Sequence, residues 1–116
     1  MPLEAIDLAK KIAETAADKQ ASDVVLLDVS QVCSFADYFV ICSGNTERHV
    51  EAIQEAIHEM LRKEAFARYR REGTASSGWV LLDMGSIIVH IFAPFEREYY
   101  QLESLWSNAP VVVKMI

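Results

Sequence analysis

An α/β domain, a mixed sheet of about five strands packed by helices, is the fold class this sequence predicts. Three observations carry that expectation. Apolar residues recur at three- and four-residue intervals over 5–16 and again over 50–61, which is the signature of two amphipathic helices. Two short β-branched runs lie between those stretches. Beyond them, Trp79 to Met84 and Ser86 to Phe92 read as paired strands parted at Gly85. Elements interleaved in this order need a sheet with helices laid on it.

Each element has its own local cause. From Pro2 to about Ala17 the residues Ala5, Leu8, Ala9, Ile12, Ala13 and Ala16 form one stripe, with Pro2 suited to an opening helical turn. Val24 to Val29 follows a polar Ser22-Asp23 break and is too short for a helix, so it is read as a strand. Tyr38 to Cys42 is the second strand, apolar on both faces and therefore expected inside the sheet with cover on two sides. After Ser43-Gly44-Asn45 the second helix runs from about Thr46 to Glu64. Asn45 or Thr46 is its cap, and Glu47 complements its positive end.

Ala67 to Glu72 is a weak strand bearing Arg68, Arg70 and Arg71, and Gly73 to Gly78 reads as an exposed flexible loop. If the next hairpin turns through Met84-Gly85, Asp83 lies opposite Ser86, Leu81 opposite Ile88 and Trp79 opposite His90. Glu96 to Trp106 fits one or two short helices. The tail Val111 to Ile116 is apolar and β-prone, and must be paired, docked or engaged by another chain.

With 116 residues, 52% hydrophobic and 24% charged, the chain supports one core, and a single domain over 1–116 is expected. A net charge of −6 and a pI near 5.0 argue against a long cationic groove for nucleic acid. The start Met1-Pro2-Leu3-Glu4 has no charged leader before an apolar stretch, and no run is long enough to cross a bilayer. A soluble cytoplasmic protein without a membrane partner is expected. Cys33 and Cys42 match neither a redox pair nor a zinc ribbon and read as small buried hydrophobes, the alternative being a disulfide between them, which a reducing cytoplasm disfavours.

Alternation along the hairpin puts Trp79, Leu81, Asp83, Ile88, His90 and Phe92 on one face and Val80, Leu82, Ile87, Val89 and Ile91 on the other. The aliphatic face belongs on the core helices. The mixed face has the composition of an interface core, yet terminal helices could equally cover it and leave His90 a buried structural histidine.

Catalytic alternatives find little support. His49, His58, His90, Asp37 and Asp83 offer metal-ligand atoms, but His49 and His58 are about 13 Å apart along one helix. The strand, Ser43-Gly44 and helix sequence could present amides to a phosphate, as in nucleotidyl transfer, but the paired strand carboxylates that hold magnesium are missing. Cys42 and Ser43 lack a nucleophile elbow. Arg68, Arg70 and Arg71 around Tyr69 could touch RNA phosphates, or form a solvated edge strand.

One resemblance spans most of the chain. Asp37-Tyr38-Phe39-Val40-Ile41-Cys42-Ser43-Gly44, then Arg48-His49-Val50 and Ala52-Ile53, resembles the central signature of the Iojap-like ribosomal silencing factors. Glu72-Gly73, Trp79, Leu82-Asp83, Gly85, Val89-His90 and Phe92 follow in that family's order. Arg97, Tyr99 or Tyr100, Leu102-Glu103 and Leu105-Trp106 complete it, so the likeness covers about 3–106 and leaves 107–116 as a variable tail. Ala36, where a hydroxyl residue is common, and Asn45, where threonine is more usual, are the departures.

The resemblance implies a nucleotidyltransferase-like fold without the catalytic carboxylates, no enzymatic activity, no cofactor and no metal. It implies binding to the fourteenth protein of the large ribosomal subunit on the face that meets the small subunit. Subunit joining is then blocked sterically and translation is repressed under nutrient limitation, with minor rRNA contact and a homodimer as further possibilities. The partner-binding residues it implies are Trp79, Asp83, Met84, His90, Arg97, Tyr100 and Trp106. The alternative is a degenerate nucleotidyltransferase-like enzyme or nucleotide-binding protein.

Overall fold

A computed structural model of the chain describes residues 4–64 and 69–115. Helix α1 spans Ala5–Asp18 and buries Leu8, Ala9, Ile12, Ala13 and Ala16, the stripe its periodicity marks. Pro2, assigned to its opening turn, lies outside the described residues. Strand β1 (Ser22–Asp28) and strand β2 (Tyr38–Ser43) follow, then helix α2 (Glu47–Lys63), which buries Val50, Ile53, Ile57 and Leu61. Thr46 is the cap of α2, its side chain accepting the His49 backbone N–H. That satisfies one of the amide donors a helix start leaves without a partner.

Strand β3 is only Arg70–Glu72, exposed throughout; Ala67 and Arg68, assigned to it from sequence, lie outside the described residues. Strands β4 (Trp79–Asp83) and β5 (Ile87–Phe92) form the hairpin, followed by the short helices α3 (Pro94–Tyr100) and α4 (Leu102–Leu105) and by strand β6 (Val111–Met115). The sheet order is β3-β4-β5-β2-β1-β6. Its six strands exceed the expected five because the apolar tail through Met115 pairs antiparallel with β1 within the chain, at a bulge between Leu26 and Leu27. Ile116 lies outside the described residues.

Among the described residues only β2 and β5 pair in parallel, at the centre of the sheet. Helices α1 and α2 cover one face over Val24, Leu26, Val40, Val80, Leu82, Val89 and Ile91. The second face, with Val25, Leu27, Phe39, Ile41, Ile88 and Phe92, is covered more thinly by Leu102, Ala36, Ala109 and partly buried Trp79, Leu81 and Trp106. Both faces of β5 are buried.

Two local expectations are corrected. The hairpin register is two residues away from the expected one, with Trp79 opposite Phe92, Leu81 opposite His90 and Asp83 opposite Ile88. A turn centred on Met84-Gly85 would place methionine where two-residue hairpin turns demand positive φ. Instead Gly85, at φ +85°, takes that position with Ser86 after it. A two-residue slip preserves the pleat's parity, so each side chain keeps its expected face. The segment 73–78 is exposed at Gly73, Thr74, Ser76 and Ser77 as expected, but it holds a 3-10 turn at Ala75–Ser77 closed by reciprocal Thr74 and Ser77 bonds and buries Ala75 and Gly78.

Gly73 and Gly85 both have positive φ but differ in surroundings. A Cβ on Gly73 would lie 2.1 Å from the Trp79 carbonyl oxygen, whereas one on Gly85 meets nothing within 4 Å. Gly73→Ala should therefore lower unfolding stability in urea by about 3 kcal/mol, and Gly85→Ala by about 1 kcal/mol, the backbone cost alone. Equal losses would contradict the packing described.

Candidate partner-binding surface

The pleat of β4 and β5 sets the site. Trp79, Leu81 and Asp83 stand half-buried on the thinly covered face, while Val80 and Leu82 point into the helical layer. The Trp79 indole N–H donates to Nδ1 of His90 at 3.2 Å. That bond requires an unprotonated Nδ1, so the imidazole is neutral and carries its proton on Nε2, which is buried and finds no partner among the described residues. Burial drives the His90 pKa down from 6.5 to about 4.

From this pair an aromatic ladder crosses the face. Trp79 packs on Phe92 at 4.9 Å and on Tyr100 at 4.7 Å between ring centroids. His90 meets Phe39 edge to face at 5.1 Å, Phe39 meets Trp106 at 5.2 Å, and Trp106 meets Phe35 at 6.4 Å. The ladder's inner members are core. Its ends reach water, with Phe35 62% and nearby Leu105 74% exposed. Beside Trp79 a recess of about 320 Å³ is lined by Glu72, Gly73, Ser77, Leu81 and Tyr100 as well as the indole. The arrangement offers an apolar socket with a polar rim, which suits a protein side chain better than a reacting substrate.

Four of the seven residues expected to bind a partner belong to this assembly: Trp79, His90, Tyr100 and Trp106. His90 is only 4% exposed, so it shapes the surface from beneath, and the buried-histidine reading describes its position. Asp83 stands at the far end of β4, where its carboxylate accepts the Gly85 N–H at 2.8 Å and shapes the turn. Met84 is not on this face. The pleat turns it to the helical side, buried among the residues that pack α1 and α2.

Arg97 is drawn inward. It donates to the Ser43 hydroxyl at 2.8 Å and to the Asp23 carbonyl at 2.8 Å, and pairs through Nε with Glu103 at 2.7 Å. Helix α3 buries none of its own residues, so this guanidinium holds it against the ends of β1 and β2. Alternation along β4 placed Leu81 on the mixed face, where it stands, whereas Phe35 and Phe39 were not among the expected contacts. Phe39 was hidden inside a uniformly apolar strand, while Phe35, a lone aromatic in the polar Ser34-Phe35-Ala36-Asp37 segment, was the available signal.

The catalytic alternatives fare as follows. His49 accepts the Asn45 N–H at Nδ1 and meets the Lys19 carbonyl at Nε2, tying α2 to the end of α1. His58 bonds Tyr69, and His90 lies across the sheet, so the three histidines serve separate places. Among the described residues no group of three or more His, Cys, Asp or Glu is arranged to hold a metal. Cys33 and Cys42 are free; burial raises the Cys42 thiol to about 12, which leaves it protonated at neutral pH. Gly44 fits because a Cβ would lie 2.9 Å from the Val50 nitrogen, a packing role at the strand-to-helix turn.

A cleft of about 830 Å³ near the ends of β2 and β5, where a nucleotide would be sought, is lined by Asp23, Glu98 and Glu103 as well as Arg97 and Lys114. Arg97 is already neutralised there. On β3, Arg70 pairs with Glu72 at 3.0 Å and Tyr69 turns to His58, while Arg68 lies outside the described residues. No helix among the described residues is long and apolar enough to cross a membrane.

Comparison with known proteins places this geometry in context. The family model described as ribosomal silencing factor during starvation (RsfS) matches residues 2–115. Ribosomal silencing factor RsfS of Bacillus subtilis is 41% identical over 102 residues, covering 87% of this chain and 86% of that protein. The mouse protein named mitochondrial assembly of ribosomal large subunit protein 1 is 33% identical over 92 residues, 77% of this chain but 40% of its own length. A crystal structure of a protein from Chromobacterium violaceum superposes with a TM-score of 0.83 at 32% identity, covering 90% of this chain and 88% of that one.

The neutral state of His90 carries a pH signature. The unfolded chain takes up this proton near pH 6.5 and the folded one only near pH 4, so the contribution is complete above pH 6.5 and is lost as the pH falls toward 4. His90→Phe should remove up to about 3 kcal/mol of pH-dependent stability across that window, read from urea midpoints at successive pH values. An unchanged slope would mean that His90 is charged or solvated in the fold.

Proposed function

The chain belongs to the family of ribosomal silencing factors, and from that premise we propose that it represses translation in the cytoplasm without catalysis. It does so by docking its mixed sheet face on the large ribosomal subunit. The partner is the fourteenth protein of that subunit, on the surface that meets the small subunit. A domain of 116 residues seated there excludes the second subunit by volume alone.

The observation that carries this reading is the recess beside half-buried Trp79, lined also by Leu81 and by Tyr100, which is 44% exposed. A central indole in a largely dehydrated setting is the usual energetic anchor of a protein interface. Met84, turned into the helical layer, supports the proposal only through the shape of the hairpin. Arg97 supports it by holding α3, and Asp83 by fixing the turn. The net charge of −6 favours a basic ribosomal protein over bare RNA.

Mixing purified large and small subunits with saturating protein should reduce formation of the joined ribosome, measured by sedimentation, and undiminished joining refutes the mechanism. Trp79→Ala should weaken binding to the isolated ribosomal protein by about 2 kcal/mol or more, with circular dichroism reporting the retained fold. Binding by Trp79→Ala equal to that of the wild type would move the interface elsewhere. Because an acidic chain is steered to a basic partner, the association rate should fall as salt rises; a rate indifferent to ionic strength would contradict the assigned charge complementarity.

A further inference from the structure

Helix α3 carries a further set of exposed rings, of which Tyr100 alone also lines the recess beside Trp79. Phe95 is 72%, Tyr99 71% and Tyr100 44% exposed, on a helix of seven residues. Phe95 and Tyr99 stack with ring centroids 5.9 Å apart and planes 14° from parallel, and Tyr99 meets Tyr100 edge to face at 5.1 Å. Carboxylates interleave with the rings. Glu98 is exposed, and the Glu96 carboxylate lies over Gly78, where an added Cβ would meet it at 2.3 Å. Among the described residues neither Glu96 nor Glu98 enters an ion pair. The one cation of α3, Arg97, is turned inward and spent on Ser43, Asp23 and Glu103.

We propose that the α3 surface formed by Phe95, Glu96, Glu98, Tyr99 and Tyr100 is a docking site for an arginine-bearing basic segment of a partner protein. Exposed π-faces attract cations, and a planar guanidinium stacks on them while its edge donates to carboxylates. Rings and carboxylates are both present on this helix; Glu98 shares the neighbouring cleft with Arg97 and Lys114 but, among the described residues, pairs with neither. The acidic members repel a phosphate backbone, so the same rings do not favour RNA. A purely apolar partner would leave Glu96 and Glu98 desolvated without compensation. The site borders the recess proposed for the ribosomal partner and meets it at Tyr100, which packs on Trp79.

The test titrates a short peptide alternating arginine and glycine into the full chain labelled for nuclear magnetic resonance, with no ribosomal component present. A lysine–glycine counterpart and an oligouridylate are the comparison probes. Saturable shifts confined to Phe95 through Tyr100 are expected, with the lysine peptide about threefold weaker. Phe95→Ala and Tyr99→Ala should each weaken the arginine peptide about threefold with an unchanged melting temperature, since both rings stand in water. Absence of saturable shifts overturns the proposal, as does unaltered affinity in the double variant. Tighter binding of the oligouridylate at the same residues also overturns it, in favour of RNA. Failure of Trp79→Ala to weaken binding of the isolated ribosomal protein, or undiminished subunit joining, would leave this result untouched, so the two readings fail separately.

Discussion

Parallel pairing of β5 with β2 at the centre of the sheet is the constraint from which the rest follows. A strand flanked on both edges and covered on both faces leaves no place for an ionised side chain, yet β5 carries His90. The imidazole is accommodated as a neutral acceptor for the Trp79 indole. That bond fixes the ring's tautomer and holds the indole tilted at 32° against Phe92, so the surface of β4 is shaped from within the strand behind it. Thin cover does the remainder. A full helix over this side would seal Trp79 and Leu81; two short helices, one with no buried residue, leave them partly open.

Much of the fold was legible because it depends on periodicity. Two helical stripes and the alternation of Trp79-Val80-Leu81-Leu82-Asp83 dictate which side chains share a face, and a register displaced by two residues left every face intact. The tail was legible only as a requirement for pairing, since nothing local specifies β1 as its partner. Gly73 to Gly78 misled because small polar residues that loosen a free loop also make the reciprocal hydroxyl bonds that close a 3-10 turn.

The candidate surface was less legible than the fold. Trp79, Tyr100 and Trp106 were found through resemblance and stand together, but Met84 was carried along with its neighbours although the pleat turns it inward. Arg97 illustrates a different limit. Its position on a short helix looked like a contact, whereas its donors bridge segments far away in the chain, and no pattern in the sequence announces such a bridge. Phe35 sits outside any regular element, where neither period nor strand pairing applies.

The two margins of the sheet are unlike its centre. β3 offers only three residues, all charged, and β6 breaks its ladder at a bulge and carries Lys114. Short, charged and kinked borders resist templated stacking of one molecule on the next. Neither rim therefore offers the long flat edge that a further strand from a second molecule would need, and the exposed rings of the broad face belong to neither border strand of the hydrogen-bonded ladder.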